Sequence, residues 1–211
     1  MSSIPRLYTP RLCLRPYALS DAPRAQELAG DKRIAQMTAL IPHPYPDGAA
    51  ESWIGTHESA AQEGRQFTWA ITLAGTRTPG RENAVDETGH LIGSIGIGQH
   101  GDPIHGRGML GYWIGVPYWS KGFATEAARA VLRYAFGHQL YHKVMADHFA
   151  INPASGRVMQ KLGMTCEGTL RQHFNKWGEY LDVVYYGILT DEWERQNKPR
   201  KFSSRGELQA V

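Results

Sequence analysis

Two short stretches of the chain combine residue types and spacings from which chemistry can be built. The first, Tyr118-Trp119-Ser120-Lys121-Gly122-Phe123, links a strand-like run ending at Val116–Pro117 to a helix-like one. A strand that enters a helix through a short glycine-containing turn leaves several backbone N–H groups aimed outward, at the positive end of the helix dipole. Such a turn suits phosphate oxygens. Lys121 adds a mobile positive charge, and Gly122 permits a backbone conformation that a Cβ would oppose. The second stretch carries KVMADHFA into INPASGRVMQKLG. Asn152 is a good N-cap with Pro153 at the first helical position, and Ser155 falls in the first turn. Its hydroxyl suits a general acid, or equally a hydrogen bond to its own backbone. Two helix starts opening from successive strand ends leave room for a ligand between them.

Other motifs point elsewhere and are weaker. GRGMLG at 106–111 and GIGQHG at 96–101 both fit G-x-G-x-x-G, in a chain with 23 glycines. YWIGVPYW follows the former and opens no helix, so a turn and a bulge are expected there rather than a dinucleotide site. The spacing of a Walker loop is absent. His138 and His142 are four apart, but HQLYH lacks the glutamate of the zinc-protease motif. His100, Asp102 and His105 fall in a glycine-rich loop that reads as solvated, and no metal site is expected.

The elements that must position these residues follow from pattern. Arg11–Arg15 alternates as a strand. A short helix runs from Ser20 or Asp21 to Leu28, and IPHPYPDG is a loop. A helix is expected over Ala49–Ala61, closed by Gly64. Strands are expected over Phe67–Leu73, Leu91–Gly98 and Met109–Val116, with a polar connection, AGTRTPGRENAVDETG, between the first two. The stripe Ala124, Ala127, Ala128, Val131, Leu132, Ala135, Phe136 defines a helix packed closely on a sheet. A strand Lys143–Ile151, a helix Pro153–Leu162 and strands near Met164–Gly168 and Tyr180–Leu189 follow, then a helix capped by Thr190. The order is mixed α/β, with antiparallel strands leading into a βαβ crossover. Residues 1–197 read as one domain and 198–211 as a tail.

Composition bounds the reading. The chain has 211 residues, 42% hydrophobic and 20% charged, with a net charge of +3. These values describe an ordinary globular domain, do not require a nucleic-acid partner, and leave no run long enough to span a membrane. Cys13 and Cys166 lie in apolar strand-like stretches, where buried thiols are expected. A reducing compartment, by default the cytoplasm, follows.

The segment Trp119-Ser120-Lys121-Gly122-Phe123-Ala124-Thr125-Glu126-Ala127, with Asn152-x-x-Ser155 and Lys161-Leu162-Gly163-Met164 after it, resembles the GNAT N-acetyltransferase superfamily. TPRLCLRP and EGTLRQHFNKWGEYLDVVYYGIL are similar to the branch that acetylates N-terminal amines of ribosomal proteins. The resemblance spans about Thr9 to Glu194. It implies a single-domain α/β fold with helices on both faces of a twisted, mixed, largely antiparallel sheet, splayed between its fourth and fifth strands. Acetyl-CoA would enter the split. Backbone groups of Trp113, Ile114, Gly115 and Val116 would hold the acetyl carbonyl and pantetheine. The N–H groups of Ser120, Lys121, Gly122, Phe123, Ala124 and Thr125 would hold the pyrophosphate. Asn152, Ser155 and Lys161 match further cofactor positions. Many relatives carry Gln or Arg where Trp119 stands, a departure common in this branch.

Direct transfer of acetyl to an amine needs no covalent enzyme intermediate, so neither cysteine is cast as nucleophile. Ser155 is the expected acid, with Asn152 positioning it. Glu167, His105 and His173 are the alternatives for a base. The acceptor is expected to be a protein N-terminal α-amine. A small amine (antibiotic or polyamine) and a non-catalytic acyl-CoA-binding module are the other readings. No nucleic acid or membrane partner is expected, and the chain would act as a monomer or homodimer.

Overall fold

The computed structural model describes residues 3–74 and 89–198. Most of the polar connection after Leu73, and the tail from residue 199, lie outside the described residues. Eight strands form a single sheet in the order β1-β2-β3-β4-β5-β6-β8-β7. They are β1 (Leu7–Tyr8), β2 (Leu12–Arg15), β3 (Gln66–Leu73), β4 (Leu91–Gln99), β5 (Arg107–Ile114), β6 (Lys143–Phe149), β7 (Thr165–Lys176) and β8 (Glu179–Leu189). All neighbours are antiparallel except β5 and β6, which are joined by a helical crossover. The strands expected fourth and fifth are β5 and β6, because the two-residue β1 precedes them.

Helices cover both faces. On one, Ala22 and Ala25 of α1 (Ala22–Ala29) and Ala50 and Ile54 of α3 (Ala49–Gly55) pack with Ala70 and Leu91. On the other lies α5 (Phe123–Gly137), whose Ala127, Ala128, Val131, Leu132, Ala135 and Phe136 are all buried. They meet Ile95, Ile97, Leu110 and Ile114 of the sheet, and Met159 of α6 (Pro153–Lys161) and Trp193 of α7 (Thr190–Asn197) join the same core. The spacing of small residues therefore does what the sequence pattern implies: it seats the crossover helix directly on the strands.

Five expectations are corrected. The helix expected over Ala49–Ala61 is divided into α3 and α4 (His57–Gln62). The Thr56 hydroxyl donates back to the Trp53 carbonyl at 2.8 Å and competes with helix propagation at the junction. A helix α2 (Lys32–Met37) stands where no stripe announces one, started by the Asp31 carboxylate accepting from Arg33 N at 2.9 Å. Strand β7 continues to Lys176, well past Gly168, because β8 pairs along it. Its register shifts between Cys166 and Gly168 and between Leu170 and Phe174, irregularities that suit an exposed edge strand. Cys166 on this edge is exposed, whereas Cys13 is buried. Finally, GRGMLG enters β5 without a bulge. A Cβ on Gly108 would fall 2.7 Å from the Tyr141 ring, so that glycine serves close packing.

His57 is buried between Tyr17 and Trp53, with ring centroids at 5.2 and 4.5 Å, and neither ring nitrogen has a hydrogen-bond partner among the described residues. Burial pulls its pKa down from the ordinary 6.5 to about 4. The folded state therefore binds fewer protons than the unfolded chain, and stability falls as pH drops from about 6.5 through about 4. By about pH 4.5 the loss amounts to roughly 2–3 kcal/mol. Thermal unfolding of His57→Phe at neutral pH and about pH 4.5 is expected to show a smaller acid-induced drop than the parent; equal drops would remove His57 as the cause.

Candidate active site

The site begins where β5 and β6 part. Their pairing joins Arg107 to Lys143, Gly108 to Val144 and Met109 to Met145, and goes no further. Beyond it β5 stays with β4 up to Ile114, and β6 stays with β8 up to Phe149. Gly115 N–H donates to the Ile92 carbonyl at 2.8 Å, toward β4. Strand alternation then turns the peptide groups of Tyr112 and Ile114 toward the gap. The Trp119 indole N–H takes the Ile114 carbonyl. This narrows the expected Trp113–Val116 set: Trp113 and Gly115 present their backbone to β4, and the Val116 carbonyl accepts from Trp119 N at 3.2 Å. Tyr112 is the gap-facing addition.

At the end of β5 the chain makes the turn into α5. Ser120 (φ 60°) and Gly122 (φ 80°) are both left-handed, and Gly122 caps the helix without a side-chain hydrogen bond. The first helical bond runs from Glu126 N to Gly122 O at 3.1 Å. Among the described residues the N–H groups of Ser120 to Thr125 donate no turn or cap bond, which leaves them for an anion. The turn is braced from outside. Arg11 donates from Nη1 to the Lys121 carbonyl at 3.0 Å and from Nε to Glu126 at 2.7 Å, and Thr9 donates to Glu126 at 2.6 Å. Burial pushes the Glu126 carboxyl up, but those hydrogen bonds outweigh it and hold it below its ordinary value.

Asn152 caps α6, its side chain accepting from Ser155 N at 3.3 Å. Ser155 is thereby fixed in the first turn, and its Oγ lies 2.8 Å from the Tyr112 hydroxyl. Burial, above all, pushes Tyr112 up to about 12, so it stays protonated at neutral pH. On β6 the odd-numbered residues face away from the α5 core, and Asp147 is among them, opposite Tyr185 of β8. Solvent reaches Asp147, yet the crowding of the cleft walls raises its carboxyl above the ordinary value. His148, His100 and His173 are close enough to oppose that rise by their charge.

The other expected residues stand apart. Glu167 is corrected as a base: it lies on β7, two strands from the gap, and is paired with Lys143 at 2.6 Å. His105 ends a turn at the amino end of β5, opposite the gap mouth. Lys161 is in the last turn of α6, roughly 9 Å of helix beyond Ser155. Asp147 escaped notice in the sequence; its signal is one carboxylate interrupting an otherwise alternating strand just before the Asn152 cap. Among the described residues no group of three or more His, Cys, Asp or Glu could hold a metal ion.

Residues 11–165 match the acetyltransferase (GNAT) domain family. The chain belongs to this family. Among its GNAT relatives, the uncharacterized N-acetyltransferase YoaA of Bacillus subtilis is 30% identical over 185 residues, covering 88% of this chain and 97% of that protein. The [ribosomal protein uS5]-alanine N-acetyltransferase of Escherichia coli is 30% identical over 102 residues, covering 47% of this chain and 53% of that enzyme. Several such curated matches span little more than half of the relative's length. A GNAT structure of similar fold is the ribosomal L7/L12 α-N-protein acetyltransferase RimL bound to coenzyme A. Its TM-score is 0.76 at 17% identity, over 89% of this chain and 99% of that one. The matched domain is an acetyltransferase domain, and the RimL structure of the same fold holds coenzyme A, the carrier portion of the donor acetyl-CoA.

The residues present fit that donor. Unused amides at the α5 start and the Lys121 charge suit a diphosphate, and the gap-facing peptide groups of Tyr112 and Ile114 suit the amide-bearing pantetheine arm. Gly122→Ala adds only strain at a left-handed position and is expected to weaken acetyl-CoA binding several-fold, whereas Gly122→Asp adds charge repulsion and weakens it about tenfold more. Calorimetry checks this; equal affinities in the two variants would move the diphosphate away from this turn.

Proposed function

We propose that this chain transfers the acetyl group of acetyl-CoA to the α-amine of a protein N-terminus. The supporting observation is the 2.8 Å contact between Tyr112 and Ser155 at the point where β5 and β6 part, with Asp147 on the opposite face of the same opening. Bound acetyl-CoA supplies an activated thioester; the chain supplies position and protons. Ser155, fixed by the Asn152 cap and the Tyr112 hydroxyl, gives its proton to the departing thiolate. Asp147 takes the proton of the incoming amine, directly or through water. The gap-facing N–H groups of Tyr112 and Ile114 stabilise charge on the carbonyl oxygen. Holding both reactants here provides the largest share of the rate.

The α-amine of a protein is favoured over a polyamine by the surroundings of Asp147. Among the described residues the titratable side chains that act on it are the histidines His100, His148 and His173, with no second carboxylate among them, a poor setting for a polycation. The name of the uS5 enzyme points the same way.

Thiol release and mass change on peptides with free N-terminal Ala or Ser, compared with spermidine and an aminoglycoside, test the acceptor. Acetylation of the peptide α-amine is expected, and turnover on the small amines alone would overturn the reading. Ser155→Ala is expected to lower kcat about a hundredfold with acetyl-CoA affinity held within about twofold; unchanged kcat would remove Ser155 from the acid role. A carboxylate with a raised pKa loses its basic form as pH falls through that value, so kcat/KM of the parent falls on the acid side. Asp147→Asn is expected to be slower and to lack that limb, and a limb that persists assigns the base elsewhere.

A further inference from the structure

The two halves of the split sheet are tied together at a second place. Helix α1 belongs to the β4–β5 half: a Cβ on Gly115 would fall 2.8 Å from a Leu28 methyl. Helix α2 follows it and ends at Met37, and its last carbonyls need partners outside the helix. The Lys176 ammonium meets the C-cap carbonyl and two carbonyls of the loop beyond it, donating to Thr38 O at 2.8 Å, Ala39 O at 3.2 Å and Ile41 O at 3.3 Å. Lys176 ends β7 at the tip of the β7–β8 hairpin, which belongs to the other half and projects past Phe149, the carboxyl end of β6. The loop and the hairpin tip also meet through His43 and Trp177, with ring centroids 6.1 Å apart.

Lys176 is buried, at 8% exposure, and among the described residues no carboxylate pairs with it. The Trp177 ring lies 5.0 Å from its Nζ. A buried ammonium without a carboxylate partner carries a desolvation cost that an apolar side chain would avoid. It does, however, converge three carbonyls on one point, which no apolar side chain can do. We propose that Lys176 is a positioning residue: it straps residues 38–41 across the carboxyl-end opening of the sheet and fixes the wall against which the acceptor docks. The word acceptor rests on the acetyl-transfer reading above; the strap itself does not.

The test uses the full chain, its Lys176→Met and Lys176→Arg variants, acetyl-CoA, and a peptide with a free N-terminal Ala. In Lys176→Met, amide hydrogen exchange at residues 38–42 is expected to rise about tenfold or more, while exchange at 120–126 and acetyl-CoA affinity stay within about twofold. The peptide KM is expected to rise about tenfold with kcat within about threefold, and Lys176→Arg, keeping charge and donors, falls between. Unchanged exchange at 38–42, an equal loss of acetyl-CoA affinity, or an unchanged peptide KM would each overturn the strap. Should Lys176→Met not fold, the Arg variant decides by the same exchange readout. If the parent acetylates no peptide, the N-terminal reading fails, and exchange together with cofactor affinity still judges the strap.

Discussion

The parallel pairing of β5 with β6 stops after Met109 and Met145, and every functional feature of the fold depends on that stop. Each strand keeps its other neighbour: β4 holds β5 to Ile114, and β8 holds β6 to Phe149. Because α5 rather than a tight turn connects them, nothing forces the carboxyl ends to remain together, and twist carries them apart. In a closed sheet the peptide groups of Tyr112 and Ile114 would be consumed by β6. Here β6 leaves them unpaired. Unpaired strand edges are costly when left unsatisfied. The Trp119 indole occupies one such group, and the Tyr112–Ser155 contact bridges the opening where backbone pairing no longer does.

That opening separates the Tyr112–Ser155 hydroxyls from the Asp147 carboxylate by the simplest rule of strand geometry. Side chains alternate, so Tyr112 of β5 points toward the α5–α6 face with Leu110 and Ile114, while Asp147 of β6 points to the face covered by α1 and α3. Hydroxyls on one side and a carboxylate on the other would suit the proposed transfer, with Ser155, held by Tyr112, facing the leaving thiolate and Asp147 facing the arriving amine. Burial acts on both in the same sense, disfavouring charge. It keeps the Tyr112 hydroxyl protonated and raises Asp147, so that the carboxylate is a stronger base than one in free solution.

Much of this was legible in the sequence where a single period governs a segment. The α5 stripe, the glycine turn before it and the Asn152 cap are local patterns with local causes, and each lies where the pattern puts it. What was not legible depended on partners far along the chain. LRQHFNK has no period of its own, and only pairing with β8 makes it strand. The helix KRIAQM is too short to display a stripe. Glu167 looked like a base beside the crossover because sequence position cannot reveal strand order: β8 inserts between β6 and β7 and carries Glu167 away. Asp147 is the converse, ordinary in sequence and significant only because β6 has lost its neighbour there.

The turn into α5, if it holds a diphosphate as proposed, meets an electrostatic difficulty that the turn between β1 and β2 resolves. Glu126 sits in the first turn of α5, favourable for the helix dipole but adverse for a bound diphosphate a few residues away. Its charge is not left free. Thr9, the Arg11 backbone N–H and the Arg11 guanidinium all donate to it, and the same guanidinium holds the Lys121 carbonyl and lies 4.7 Å over the Phe123 ring. One side chain thus neutralises the carboxylate and draws the carbonyl of the turn away from the anion, leaving the amides to face it. TPRL at one end of the sequence and SKGFATE near its middle, which together carry the family resemblance, are thus joined in space: the turn between β1 and β2 and the start of α5 form one electrostatic unit.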